Sequence, residues 1–583
     1  MLDKSDQEYY EHLRHSAAHL LAAAVLELRP DAKPTIGPAV EHGFYYDFEF
    51  DQPFSDEELP VIEDKMRELV ADWQGFERIE ATPEEARERF ADNPFKLELI
   101  EELVKEGEQI TLYQSGQFID LCRGGHVEKP SRELQHFKLL KVAGAYWRGD
   151  EKQPMLTRIY GTAWKSAAEL ADYLNLQEEA KKRDHKILGP QFDLFTFSEL
   201  VGSGLPLWTP KGALMRNILD NFVWELRRAR GYQMVEIPHI TKKELYEKSG
   251  HWDKFADELF KITTREGHEF AMKPMNCPHH TQIYDRKQHS YRELPQRYCN
   301  TTMVYRDEQT GELSGLSRVR SITQDDAHVF CRQDQVAAEM NKIWDIVDEF
   351  YSAVGFELWV RLSLADSQHP EKYLGEPAAW RQAEQQMRDL AAERGEEVVE
   401  VEGEAAFYGP KFDFMATDSL GREWQVATIQ LDMNMPERFD LTCINEKSEK
   451  ERVVMIHAAI MGSIERYISI LIEHFAGKFP VWLAPVQVKV LPITDDHLEY
   501  AQQVADMLAD EEVRVEVDSR SQTLSGKIRQ AEQEQVPFML VVGDKEAAKQ
   551  AVAVRARDGE KQEVMSTEQF IELITGQISA KSL

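Results

Sequence analysis

Apolar and aromatic residues at positions 9, 10, 13, 17, 18, 20, 21 and 25 recur every three to four residues, and Arg29-Pro30 closes the run. The spacing predicts a helix over 9–27 that carries His15 and His19 four apart. A strand-like run follows at His42–Phe50, then acidic helices to about 108, then short β-like pieces holding Cys122-Arg-Gly-Gly-His126 and Ala145-Tyr-Trp147. Helices and strands without regular alternation predict an α+β unit. A helical stretch at 165–184 leads into Gly189-Pro190 and Gly202-Ser-Gly204-Leu-Pro206, which places a first boundary at 183/184.

From 210 a long helix ends at Gly231, and Tyr232–Pro238 reads as a strand. Strand candidates fill 268–331 and 399–432 around a helical insert at 376–394, so a mostly antiparallel sheet flanked by helices is expected. Pro480–Pro485 marks a second boundary, at 484/485. Beyond it, strands at 486–491, 513–517 and 538–542 alternate with helices at 497–509, 524–534 and 567–575, the pattern of a small α/β domain with a largely parallel sheet. Three domains are expected: 1–183, 184–484 and 485–583.

The 583 residues, 42% apolar and 30% charged, suit a multidomain globular protein and exclude a disordered, collagen-like or coiled-coil chain. No apolar run approaches the ~20 residues of a membrane span. The opening MLDKSDQEYYEHLRH lacks the apolar core of a secretion signal, so a cytoplasmic location with no membrane partner is expected. Five scattered cysteines argue against a disulfide framework. The net charge of −34 argues against non-specific coating of nucleic acid. The basic stretch Trp224–Arg230 reads as a solvated helix face.

Three constellations carry chemistry. His15 and His19 share a helix face, on their own an ordinary surface or core pair, and Cys122 with His126 on a glycine loop could meet them as a tetrahedral metal site or a hydrolytic acid/base cluster. Cys277, His328 and His457 are a Cys/His/His set that would leave one zinc position open, or, on spacing alone, three ordinary core residues. Arg306 and Glu308 with Arg318, Arg320 and Arg466 suit bidentate phosphate contacts or surface ion pairing. No Walker loop and no G-x-G-x-x-G after a strand is present.

Longer ordered strings go further: Ile36-Gly-Pro38 with His42–Asp47, Met272-Lys-Pro-Met-Asn-Cys-Pro278, Gly315–Arg320, Thr323–Phe330, Phe407-Tyr-Gly-Pro-Lys411 and Val541–Glu546. Together they resemble the bacterial threonyl-tRNA synthetases, class II aminoacyl-tRNA synthetases, from about residue 9 to about 575. The resemblance implies ATP-dependent ligation of L-threonine to tRNA(Thr) through threonyl-adenylate, with hydrolytic editing of seryl-tRNA(Thr), in a homodimer built on motif 1 near Gly231–Pro238. It implies a class II antiparallel sheet between an α+β editing domain and an α/β anticodon-binding domain.

The same resemblance implies site residues. Arg306 would hold the ATP α-phosphate, Glu308 the adenine edge and Arg466 the γ-phosphate side, with Arg318 also at the nucleotide and Mg2+ accompanying it. Cys277, His328 and His457 would bind one Zn2+, which takes the amino and hydroxyl groups of threonine, and Asp326, Gln324, Tyr408, Lys411, Gln425 and Gln430 would line the pocket. His251 would stand near the acceptor hydroxyl. His15, His19, Asp120, Cys122 and His126 would form the editing site, and Glu546 and Arg555 would touch anticodon bases.

Three departures from the family accompany these. The chain opens almost directly on the editing helix, where many relatives have a further small domain. Ser321-Ile322 stands where Gly-Phe is usual, which predicts a weaker adenine sandwich against Arg466. Ala458 follows His457 where arginine is more usual, which predicts a missing positive charge near the zinc site. The competing readings are a serine or proline synthetase, a synthetase-derived RNA-binding regulator, and a free-standing zinc hydrolase. The hydrolase leaves 190–583 unexplained, and retention of Arg306, Glu308, Arg466 and the three ligand candidates speaks against the regulator.

Overall fold

The computed structural model describes residues 4–150, 152–557, 559 and 562–583. Met1–Asp3, where the segment weighed as a secretion signal begins, lie outside them. Among the described residues no helix is long and apolar enough to cross a membrane, and the five cysteines are free thiols. The chain forms two compact units, 1–178 and 179–583, divided within the connecting helix a little before the boundary read from the sequence.

The first unit is organised by α1 (Lys4–Leu28). Its alanines, Ala17, Ala18 and Ala22–Ala24, are buried beside Leu13, Leu20 and Leu21, and small side chains let the helix lie close to its neighbours. In chain order follow β1 (Gly43–Glu49), α2 (Leu59–Val70), β2 (Glu77–Glu80), α3 (Pro94–Glu106), β3 (Thr111–Ser115), β4 (Phe118–Leu121), β5 (His136–Tyr146) and β6 (Met155–Trp164). Strands β1, β6 and β5 form one antiparallel sheet and β2, β3 and β4 another. The segment Cys122–His126 is a loop, not part of a strand. Gly124 (φ 104°) and Gly125 (φ 84°) take backbone conformations that side chains rarely adopt, and they turn the chain back toward α1.

Helix α4 (Ala167–Arg183) runs out of the first unit, and α5 (His185–Gln191) opens the second. There, α6 (Pro210–Ala229) starts with Pro210 in its first turn, capped by Thr209, whose hydroxyl accepts from the Gly212 amide at 3.3 Å. The chain continues through β7 (Gln233–Met234), α7 (Cys277–Tyr284), β8 (Gln296–Tyr305), β9 (Ser321–Cys331), α8 (Val336–Ser352), β10 (Leu358–Leu364), α9 (Pro377–Arg394), β11 (Val398–Glu402), β12 (Lys411–Thr417), β13 (Glu423–Asp432), β14 (Val454–Ser463) and α10 (Ile464–Phe475). The eight strands lie in the order β7-β8-β9-β14-β13-β12-β10-β11. Only the outer pairs β7–β8 and β10–β11 are parallel. The antiparallel sheet expected from the sequence is thus present, although the run 232–238 pairs only over Gln233–Met234. One face packs on α6, α8 and α10 through a large apolar core. The other face carries polar side chains and α7.

Two sequence expectations fail on this core face. Arg227 of the presumed solvated helix is 3% exposed and pairs with Asp325 of β9 at 3.2 Å. Ala458 is buried in the same core, because strand alternation turns it away from His457, so a charge there would not face the Cys/His/His set.

The C-terminal part comprises β15 (Val488–Pro492), α11 (Leu498–Asp510), β16 (Val515–Val517), α12 (Leu524–Gln533), β17 (Phe538–Val542), β18 (Ala551–Ala556), β19 (Glu563–Ser566) and α13 (Thr567–Ser579). Its sheet order is β16-β15-β17-β18-β19. The first two pairings are parallel and the last two antiparallel, so the sheet is mixed rather than largely parallel.

Candidate active sites

Alternation on β9 sends Ala327, Val329 and Cys331 into the helix-side core and leaves Gln324, Asp326 and His328 on the opposite face. Register then aligns a row across the sheet. His328 of β9 stands opposite His457 of β14, His457 opposite Gln430 of β13, and Gln430 opposite Lys411 of β12. Cys277, the first residue of α7, comes down onto this row.

Cys277, His328 and His457 are all buried, and their donor atoms lie within 4.8 Å of one another. The His457 Nε2–H donates to Asp432 at 2.9 Å, which leaves Nδ1 as a lone pair. His328 Nδ1 is held by His280 Nδ1 at 2.8 Å, and its Nε2 faces His457 Nδ1 at 3.0 Å. Burial pushes the Cys277 thiol up and the His328 imidazole down, which favours their neutral forms where no cation is present. Two imidazole nitrogens and a sulfur converging in a buried space, each histidine anchored from behind, fit a metal ion with a position left for substrate.

Asp326 accepts from Asn276 Nδ2 at 3.0 Å, and burial pushes its carboxyl up. The Tyr408 hydroxyl donates to Gln430, and its ring stacks on His457 at 4.8 Å. Lys411 and Gln425 both meet Asp413, at 2.8 and 2.7 Å. Asp413 is fully buried and also takes Arg361 at 3.0 Å. His251 is fully buried, with Nδ1 2.9 Å from Ser249 Oγ and Nε2 3.8 Å from Cys277 Sγ; burial lowers it to about 3.

Arg306 follows the end of β8, over the Phe255 ring at 5.7 Å, with its Nε buried and unpartnered. Arg466, in the first turn of α10, lies 5.6 Å from the Trp424 ring and is lowered by burial. Neither guanidinium has a carboxylate partner among the described residues, so both are free to take an anion. Glu308, itself buried, is paired with Arg318 at 2.6 Å, so the ion pairing that the sequence also allowed is present but is closed to solvent on the carboxylate side. Arg320 Nε donates to the Glu308 carbonyl at 2.9 Å.

In the first unit, the donor atoms of His15, His19, Cys122 and His126 again lie within 4.8 Å of one another. His15 Nδ1 donates to the Gly125 carbonyl at 3.1 Å, so its Nε2 is a lone pair directed at Cys122 Sγ, 3.6 Å away. Cys122 Sγ lies 3.3 Å from His126 Nε2, and His126 Nδ1 lies 3.2 Å from Ser16 Oγ. Burial lowers all three histidines and raises Cys122 to about 11. The cluster borders a cavity of about 600 Å³. Asp120 lies on the cavity wall, 2.5 Å from the buried Lys96 and accepting from the Tyr46 hydroxyl. Lys96 and Tyr46 escape sequence reasoning because a lysine in an acidic helix and a tyrosine in an aromatic strand look ordinary. Asp413 had a signal, since it sits two residues from Lys411 on one strand face.

Glu546 and Arg555 are not brought together by any direct contact. Glu546 accepts from the Gly543 amide at 3.1 Å, and Arg555 of β18 pairs with Glu532 at 2.8 Å.

Comparison with known proteins covers the same regions. Residues 260–475 match the tRNA synthetase class II core domain (G, H, P, S and T), 487–577 the anticodon binding domain, and 110–160 the threonyl and alanyl tRNA synthetase second additional domain. A threonine–tRNA ligase of Gloeobacter violaceus is 49% identical, over 96% of this chain and 91% of that one. One from Dehalococcoides mccartyi is 46% identical, over 98% and 97%. A crystal structure of the RNA binding domain of threonyl-tRNA synthetase from Cryptosporidium parvum is 36% identical with a TM-score of 0.65, covering 67% of this chain and 98% of that one.

Proposed function

Because the chain belongs to the threonine–tRNA ligase family of class II aminoacyl-tRNA synthetases, we propose that the row from His328 to Lys411, with Arg306 and Arg466 beside it, is where threonine is activated. The enzyme ligates threonine to tRNA with ATP and carries an editing domain. The observation that supports the assignment is the convergence of Cys277, His328 and His457 on one point of the eight-stranded sheet, on the face opposite the large core.

In this reading Cys277 Sγ, His328 Nε2 and His457 Nδ1 hold a zinc ion, which when bound supplies a Lewis acid for the amino and hydroxyl groups of threonine. Asp326 accepts from the amino group or the hydroxyl, and Gln324, Tyr408, Gln425 and Gln430 line the pocket. The threonine carboxylate attacks the α-phosphate and pyrophosphate leaves. Arg306 stabilises the charge developing on the phosphorane, Lys411 adds positive potential at the carboxylate, and Arg466 holds the γ-phosphate side. Glu308, released from Arg318, reads the adenine edge, and Mg2+ accompanies the nucleotide. In the transfer step, in which the ribose hydroxyl attacks the threonyl carbonyl and AMP leaves, His251 stands near that hydroxyl.

We assign His15, His19, Asp120, Cys122 and His126 to editing, as a water-positioning acid/base site. Glu546 and Arg555 are assigned to anticodon bases, the domains to 1–183, 184–484 and 485–583, and the location to the cytoplasm. A homodimer is supported by Leu200, Val201, Leu207 and Met234, exposed apolar residues before α6 and on β7. The test is Cys277→Ala with metal analysis and threonine-dependent pyrophosphate exchange. One zinc per parent chain is expected, with zinc and exchange both lost in the folded variant; a metal-free variant of full activity overturns the assignment.

A further inference from the structure

A third cluster lies away from both sites. Asp184, His185 and Glu473 bring ligand-type atoms within 4.8 Å of one another where α5 meets the last turn of α10. It has the composition of a metal site, but its charges are already compensated: Glu473 pairs with Arg422 at 2.6 Å, and Lys186 lies 3.4 Å from Asp184. What distinguishes it is the second nitrogen of His185, which accepts from the Leu316 amide at 3.0 Å. The first nitrogen, Nδ1, lies 2.5 Å from Glu473 Oε1, and the His185 amide donates to the same oxygen at 3.2 Å. An amide can only donate and a carboxylate only accept. His185 is therefore neutral, with its proton on Nδ1, and bridges two elements in one orientation.

Both elements carry an arginine assigned above to the nucleotide. Leu316 is fully buried at the centre of a tight turn in which the Arg318 amide donates to the Ser314 carbonyl at 3.2 Å. Arg318 and Arg320 reach back from that turn to Glu308, and the Arg306 amide donates to the Arg320 carbonyl at 3.0 Å. Glu473 belongs to α10, the helix that carries Arg466 in its first turn. The imidazole packs so closely on the turn that a Cβ on Gly315 (φ 49°) would stand 2.2 Å from His185 Nε2.

We infer that His185 is a positioning residue for ATP, fixing the 306–320 loop against α10 through its single acceptor for the Leu316 amide. The inference rests on the assignment of Arg306 and Arg466 to ATP. Asparagine places its amide where Nδ1 lies and keeps only the Glu473 contact, whereas glutamine reaches the Nε2 position and can still accept from Leu316.

The experiment is pyrophosphate exchange at varied ATP and varied threonine for the full-length parent, His185→Asn, His185→Gln, Gly315→Ala and Arg306→Ala, with melting temperatures. His185→Asn and Gly315→Ala are expected to raise the ATP KM about tenfold, the cost of a buried amide without its acceptor. The threonine KM should stay within twofold, and His185→Gln within threefold of the parent for ATP. A raised ATP KM in Arg306→Ala with an unchanged one in His185→Asn overturns the inference alone, as does His185→Gln failing as badly as His185→Asn. An unchanged ATP KM in Arg306→Ala overturns the loop assignment and the inference with it.

Discussion

Exchanging Asp432 for asparagine replaces one carboxylate oxygen by an NH2 group where two sets of donors converge. Asp432 Oδ1 accepts from the amides of Asn434 at 2.8 Å and Met435 at 2.9 Å, while Oδ2 accepts from His457 Nε2 at 2.9 Å. In the variant the remaining oxygen stays with the two amides, since turning away would leave both unpaired. The NH2 then faces an N–H. The imidazole relieves that clash by moving its proton to Nδ1, the nitrogen that faces His328, and the ligand lone pair is lost. A hydrogen bond to a charged group contributes about 1.5–3 kcal/mol, and outer partners of metal-bound histidines change affinity about 10–100-fold. Both point to about 2 kcal/mol, or roughly a thirtyfold weaker zinc Kd. The assay is zinc competition against a chromogenic chelator, with the melting temperature as a check that the fold survives. A zinc affinity within twofold of the parent refutes the tautomer reasoning.

Three further outcomes are expected. Ile322→Phe should lower the KM for ATP by adding a π face opposite Arg466, an effect of ~0.5–2 kcal/mol; an unchanged or higher KM in pyrophosphate exchange counts against it. Lys273, fully buried and with its ammonium donating to Thr302 at 2.9 Å, is lowered by burial to about 8. Its unfolded form therefore binds more protons between about pH 8 and 10.5, so this group costs stability at neutral pH and the cost fades as pH rises. Lys273→Met should stabilise the protein by about 1–3 kcal/mol at pH 7 and flatten the rise in melting temperature from pH 8 to 10; an unchanged slope refutes this. Hydrolysis of seryl-tRNA should stay level from pH 8 down to 6, because burial keeps His15, His19 and His126 neutral. An ordinary imidazole base would lose about three-quarters of its activity by pH 6, and that loss in a deacylation assay would show the cluster to be solvated.

What the sequence revealed divides by range. The 4–28 helix follows from local periodicity and the Arg29-Pro30 stop, and the insert at 377–394 from its own helical run. His328 meeting His457 depends on a strand pairing across 129 residues, which no local pattern encodes. Arg227 was misread for the same reason, since Asp325, which makes its burial tolerable, lies 98 residues away. Strand β18 was missed because the turn before it uses Gln550 at φ 49° rather than a glycine, and β19 was missed although Asp558-Gly559 in the sequence between them is a usual hairpin signal. Ala458 is different. Period-two alternation from His457 already turned it from the metal set, and only the family comparison suggested otherwise.

In the proposed assignment the two sites use one electrostatic device for opposite ends of a discrimination problem. Rejecting valine is within reach of the synthetic site, because valine leaves buried polar groups without a partner. Serine keeps the hydroxyl and lacks only a methyl group, a difference of ~1–3 kcal/mol in an apolar pocket, too little for faithful translation. A second, hydrolytic site must therefore hold a seryl ester against polar groups that do not drift. In both places a carboxylate almost closed to solvent is kept in position by a lysine: Asp413 by Lys411, with Arg361 added, and Asp120 by Lys96. Removing one partner of such a pair strands a buried charge, whereas the intact pair presents fixed polar atoms that need no reorganisation when substrate arrives. The asymmetry lies in what surrounds each pair. A metal-competent Cys/His/His set beside the first suits recognition of an amino alcohol, and an imidazole cluster with a protonated thiol beside the second suits the handling of water.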